Sequence, residues 1–91
     1  MHLLIVYDIA DDKRRYRVEK VLSSYGKRVN YSVFEVETSL PNYRKLILLL
    51  EEHSSKKEDH IRIYILGKES LKKSFVLHTS ERIFSYETLY L

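Results

Sequence analysis

The stretch LLIVYDIADDKRRYRVEKV, residues 3–21, ends the most apolar string of the chain on a carboxylate, Asp8, and follows it with four closely spaced cations. Asp8 continues the strand face of Leu4 and Val6, where burying an unpaired carboxylate costs several kcal/mol or forces it neutral. It therefore calls for donors, water or a cation, and a metal ion or an arginine is the natural partner. A bland role, capping or ion-pairing at the start of the next helix, is equally open for Asp8; for Asp11 and Asp12 capping is the better reading. Lys13, Arg14, Arg15 and Arg17 fall on the first turns of that helix, where cations oppose the macrodipole and gain nothing from it. Such a cluster is either a solvated helix face or a surface for an external anion. Lys20, Lys27 and Arg28 extend it, so seven of the sixteen Lys and Arg lie between residues 13 and 28. With a net charge of +3, that concentration tilts the chain towards nucleic acid or another polyanion.

Other chemistries lack their residues. With glycine only at positions 26 and 67, no phosphate-cradling loop of dinucleotide or nucleoside-triphosphate type is present. The absence of cysteine removes disulfides, thiolate metal sites and a cysteine nucleophile. His2, His53, His60 and His78 show no metal-ligand spacing and read as loop or surface residues, and no serine sits in a nucleophile elbow.

The elements that must position Asp8 and the cations follow from periodicity. His2 to Ile9 is apolar on both alternating faces, Leu3, Ile5, Tyr7 and Ile9 on one and Leu4, Val6 and Asp8 on the other, which predicts a central strand. Asp11 stands as N-cap of an amphipathic helix carrying Val18, Val21, Leu22 and Tyr25, with Gly26 as a left-handed stop. RVNYSVFEVE, residues 28–37, reads as strand throughout; without a turn signal at Tyr31-Ser32, the residues favour one long strand. Ser39 with Leu40-Pro41 opens a second helix whose face is Tyr43, Leu46, Ile47 and Leu50. IRIYIL, residues 61–66, alternates as a strand ending at Gly67, and SFVLHT and RIFSYETLYL read as shorter late strands.

This order, β-α-β(β)-α-β with a β-rich tail, predicts an α+β domain over residues 1–91, a ferredoxin-like βαββαβ sandwich with an extra C-terminal strand. Ninety-one residues bury only roughly 60–65% of the unfolded surface. Leu4 and Val6 occupy a sheet face that two helices on the opposite side leave open, so the tail or a second copy must cover it, and a homodimer is expected. Met1 to Ile9 is too short for a signal or membrane segment, and the expectation is a cytoplasmic protein with no membrane partner.

The joint pattern YDIADDKRRYRV followed by YGKRVNYSVFEVE resembles the signature of the CRISPR-associated protein two family, the small adaptation subunit also described as an endoribonuclease or endonuclease. The resemblance spans nearly the whole chain, with Asn30 where glutamine is commoner and the part after Gly67 least typical. It implies a homodimer in which Asp8 meets its twin and holds a divalent metal, Mg2+, as the catalytic carboxylate of a metal-dependent endonuclease acting on RNA or double-stranded DNA during spacer acquisition. The alternative it implies is a non-catalytic DNA-binding adaptor bridging copies of the integrase subunit, CRISPR-associated protein one. By the same resemblance Lys13, Arg14, Arg15, Arg17 and Arg28 face nucleic acid, Tyr7, Ser32 and Phe34 support the site, and residues 28–37 split into a hairpin at Tyr31-Ser32. A base-stacking RNA module ranks last, because NYSVFEVE lacks the glycine-aromatic spacing of such domains.

Overall fold

A computed structural model describes residues 1–84. Its elements are β1 (His2–Asp8), α1 (Asp12–Ser23), β2 (Gly26–Asn30), β3 (Val33–Glu37), α2 (Leu40–His53), β4 (His60–Leu66) and a short α3 (Lys68–Lys73). The four strands form one sheet in the order β2-β3-β1-β4, every neighbouring pair antiparallel. This is the ferredoxin-like arrangement: β1 is central, and the strand following each helix lands at an edge.

One face of the sheet is dry. Leu3, Ile5 and Tyr7 of β1 alternate into it with Phe34 and Val36 of β3, and the layer above supplies Val18 and Leu22 of α1 and Leu46 and Leu50 of α2, all at most 3% exposed. Each such side chain contributes roughly 1.5–3 kcal/mol of transfer free energy. Both helices begin where the residues dictate. The Asp11 carboxylate accepts from Arg14 N at 2.9 Å, and Ser39 Oγ accepts from Asn42 N at 3.3 Å, each closing a donor that the first turn leaves open.

Three expectations require correction. Residues 28–37 are not one strand but β2 and β3, joined through Tyr31 and Ser32; the Asn30 side chain accepts from Tyr31 N at 2.8 Å, and the register slips between Arg28 and Asn30. A local asparagine acceptor and a bulge thus make the hairpin without glycine. Gly26 is not a left-handed stop: neither glycine has positive φ, and α1 ends on Ser24, whose N–H and Oγ both reach Val21 O. Gly26 instead opens β2, where a Cβ would sit 2.2 Å from Glu35 O, so glycine is demanded by close strand approach. SFVLHT is not a strand either. It leaves α3 as irregular chain, and the left-handed φ of 68° at His78 breaks any extended run. Of RIFSYETLYL, residues 82–84 form a turn region and the remaining positions, with the expected C-terminal strand, lie outside the described residues.

The tail reaches part of the second sheet face. Phe84 stacks edge-on against His2 with ring centroids 5.1 Å apart, its N–H donates to Glu35 Oε1 at 2.8 Å, and Glu81 lies 4.0 Å from Lys27. These contacts gather at the end of the sheet where β1 begins, far along the strand from Asp8.

Candidate functional site

Strand alternation assigns the candidate residues to opposite sides of the sheet. Asp8 is exposed at the carboxyl end of β1, on the face of Leu4 and Val6 that the helices do not cover. Directly opposite it in β4 is His60, also exposed, and next along that strand face come Arg62, opposite Val6, and Tyr64, opposite Leu4. Arg62 donates to the Tyr64 hydroxyl at 3.4 Å. The Asp8 side chain itself has no hydrogen-bonded or ion-paired partner among the described residues.

Tyr7, one residue earlier, points the other way. Its hydroxyl, 3% exposed as a residue, donates to Glu19 Oε2 of α1 at 2.5 Å and lies 3.1 Å from Tyr31 O in the β2–β3 turn. Glu19 Oε2 also takes the Arg28 guanidinium at 2.9 Å, and Arg28 covers the ring of buried Phe34 with its carbon Cζ 5.5 Å from the centroid. The Ser32 carbonyl accepts from Tyr7 N at 3.1 Å. Burial, followed by the Glu19 carboxylate, pushes the Tyr7 phenol far above its ordinary pKa. Tyr7, Arg28, Ser32 and Phe34 are therefore gathered into one network that fixes the β2–β3 turn, on the side of the sheet away from Asp8.

The helix cations divide into engaged and available groups. Arg14 donates through Nε to Asp59 Oδ2 at 2.9 Å and through Nη2 to Asp59 Oδ1 at 3.2 Å and Glu58 at 3.0 Å. The Asp59 side chain is 1% exposed and also accepts from Ser55 N at 2.7 Å; the Arg14 hydrogen bond holds its pKa below the usual carboxylate range. Arg15 binds Asp12 at 2.5 Å and reaches the Ile9 and Ala10 carbonyls, closing the loop between β1 and α1. Lys13 and Arg17 are exposed and their side chains form no hydrogen bond or salt bridge among the described residues, although Lys13 lies close enough to Asp11 to add to the lowering of that carboxyl's pKa by the Arg14 N–H. Arg14 and Arg15 are thus engaged in clasps within the chain, whereas the side chains of Lys13 and Arg17 are open.

The fit of a divalent cation follows from the donor set. No group of three or more His, Cys, Asp or Glu able to hold a metal occurs among the described residues. One chain offers the Asp8 carboxylate, unopposed by any cation, on an uncovered face; magnesium is usually held by one or two carboxylates and keeps several waters. Asp8 supplies one carboxylate of the kind such an ion takes. Sequence reasoning missed Glu19, Asp59 and the position of His60. Only His60 had a usable signal, because in a split βαββαβ sheet the end of β1 meets the start of β4.

Comparison with known proteins adds a separate line. Residues 1–74 match the family model described as CRISPR associated protein Cas2. Over 61 residues the chain is 49% identical to the CRISPR-associated endoribonuclease Cas2 4 of Rhodospirillum rubrum, covering 67% of this chain and about half, 49%, of that relative's length. The crystal structure of Streptococcus pyogenes Cas2 at pH 6.5 superposes with a TM-score of 0.74 at 32% identity, covering 85% of this chain and 99% of that one. A chain in a partial Cas6-RT-Cas1–Cas2 complex superposes with a TM-score of 0.63 at 32% identity, covering 84% and 89% respectively.

Proposed function

The chain belongs to the CRISPR associated protein Cas2 family, and from that premise we propose that it is a homodimeric, divalent-metal-dependent endonuclease acting on RNA or double-stranded DNA in CRISPR adaptation. The supporting observation is Asp8: an exposed carboxylate without a partner among the described residues, at the end of the central strand and on the open sheet face. A second copy packed over Leu4, Val6 and Val33 covers half-exposed apolar surface and brings two Asp8 carboxylates to one axis, in an interface of roughly 1,200 Å² or more.

In this reading the two Asp8 side chains hold one magnesium ion. When bound, the ion supplies positive charge at the scissile phosphate and a water of lowered pKa. Lys13 and Arg17 contact the phosphate backbone, and Arg14, Arg15 and Arg28 keep the surrounding loops and turn in place while lending their charge to the surface. Work in the cytoplasm, where both substrates and the integrase act, is part of the same proposal; among the described residues no helix is long and apolar enough to cross a membrane.

Cleavage with and without magnesium, on wild type and Asp8→Asn, tests it. Asp8→Asn keeps the shape but removes both charges, so metal-dependent cleavage falls by about two orders of magnitude or more while sedimentation still gives a dimer. Undiminished cleavage by the pure variant, or a wild-type protein that sediments only as a monomer, overturns the reading.

A second reading, a non-catalytic adaptor that holds duplex DNA and bridges Cas1-type integrase subunits, draws support from the Cas2-containing complex with Cas1 that this chain resembles. It also fits the internal engagement of Arg14, Arg15 and Arg28, which leaves no free arginine cluster beside Asp8 among the described residues. DNA binding that survives in Asp8→Asn, with no cleavage in either protein, selects it.

A further inference from the structure

We propose that His60 is a second metal ligand of the Asp8 site, and that its imidazole makes the site prefer cobalt(II) and nickel(II) to magnesium. The inference rests on the reading of Asp8 as a metal-binding carboxylate and deepens it by naming a second donor and the class of cation that the pair selects.

The β1–β4 pairing runs in unbroken register from His2 opposite Leu66 to Asp8 opposite His60. Residues directly opposite in an antiparallel pair share a face, with Cβ atoms about 4.5–5.5 Å apart. Neighbouring ligands of one octahedral ion, each bonded at about 2.1 Å, have donor atoms about 3 Å apart, a convergence that both side chains can make by rotation. Both residues are exposed, and no ion pair joins them within 4 Å, so neither is committed to the other. Asp8 and His60 are strand ends on adjacent strands, and such a site does not depend on loop placement.

The backbone carrying His60 is held from behind. Asp59 immediately before it is tied to Arg14 at 2.9 Å and to Ser55 N at 2.7 Å, which prevents the start of β4 from slipping. That clasp engages the Asp59 carboxylate with Arg14, away from the face that carries Asp8 and His60. Arg62, two residues further on the same face, is turned to the Tyr64 hydroxyl. Two copies of the chain around one axis would offer two carboxylates and two imidazoles.

An imidazole changes the order of preference. Magnesium is a hard ion that favours oxygen and gives up water reluctantly, whereas imidazole nitrogen suits later first-row ions, with affinity rising from manganese through cobalt to nickel. A site of two carboxylates alone separates these ions weakly; added nitrogen donors raise cobalt and nickel affinity and leave magnesium nearly unchanged. The site still accepts magnesium where that ion is in large excess.

The test is metal binding by the full-length protein, read by calorimetry with magnesium and cobalt(II) and by the visible absorbance of bound cobalt(II). Wild type is expected to bind cobalt at least about tenfold more tightly than magnesium. His60→Asn should lose that margin and keep its magnesium affinity, Asp8→Asn should lose both ions, and His53→Asn on α2 should behave as wild type. Cobalt binding that is unchanged in His60→Asn but lost in Asp8→Asn overturns the inference and leaves the Asp8 reading standing. Binding of both ions that is indifferent to Asp8→Asn, or absent from wild type, overturns both. A second readout needs no variant: bound cobalt should shift the His60 imidazole proton resonances by its paramagnetism, and their persistence at the metal-free positions in cobalt-saturated protein would sink the assignment.

Discussion

The Tyr7 hydroxyl donates to Glu19 Oε2 at 2.5 Å, and the same oxygen receives Arg28 at 2.9 Å. A strand, a helix and a hairpin meet at that one carboxylate. Because Tyr7 and Asp8 alternate along β1, the phenol supports the Asp8 strand from the core side and does not reach the open face.

Loss of that hydroxyl in Tyr7→Phe should cost about 1 kcal/mol and lower Tm by roughly 5 °C. Burial and the Glu19 bond raise the phenol's pKa in the folded protein. Its contribution is therefore complete below the ordinary tyrosine pKa of about 10 and fades as pH rises through the folded value. In an ultraviolet titration wild type should show a tyrosine step well above the ordinary value, and Tyr7→Phe should lack it. The same titration curve in wild type and Tyr7→Phe, apart from the loss of one ordinary step, would contradict it.

Asp59→Asn tests the clasp between α1 and the start of β4. The Arg14 hydrogen bond lowers the Asp59 pKa from 3.8, so the stabilisation is present above that value and disappears as pH falls through the folded one. Urea midpoints of wild type and variant should differ clearly at pH 7 and converge as pH falls through the lowered folded-state value. A gap that persists at the acid end would assign the effect to packing.

Cation by cation, salt dependence should separate the clasps from the open charges. Lys13→Ala and Arg17→Ala should each reduce the slope of log affinity for duplex DNA against log salt by about 1. Arg14→Ala should lower Tm and change the slope less, since Asp59 and Glu58 already occupy its guanidinium. Equal slope changes in all three variants would show that Arg14 leaves its clasp to meet phosphate.

Gly26→Ala should be among the costliest single-methyl changes in the sheet. The added Cβ meets a backbone oxygen at 2.2 Å and Val36 Cγ2 at 2.7 Å, neither of which can yield without β2 leaving β3. A loss of roughly 1–3 kcal/mol is expected, read as a drop in the thermal midpoint. Gly67→Ala, with nothing within 4 Å of its Cβ, is the neutral control.

What the sequence determined by itself is local. Alternation from His2 to Asp8 fixed which residues enter the core, and the spacing of Asp11 and Ser39 before their helices fixed both caps, because a cap needs a partner only three residues away. The motif resemblance placed the hairpin at Tyr31-Ser32 where residue patterning had favoured one strand. Tertiary structure decided what depends on distant strands and loops. Arg14 looked like a free cation until a loop 45 residues away supplied Asp59. Gly26 looked like a helix stop until β3 came within a Cβ's reach, and His60 looked like a loop residue until the β1–β4 register set it opposite Asp8. Periodicity reports which face a residue occupies, whereas which residue it meets across that face is set by pairing that closes only when the chain folds.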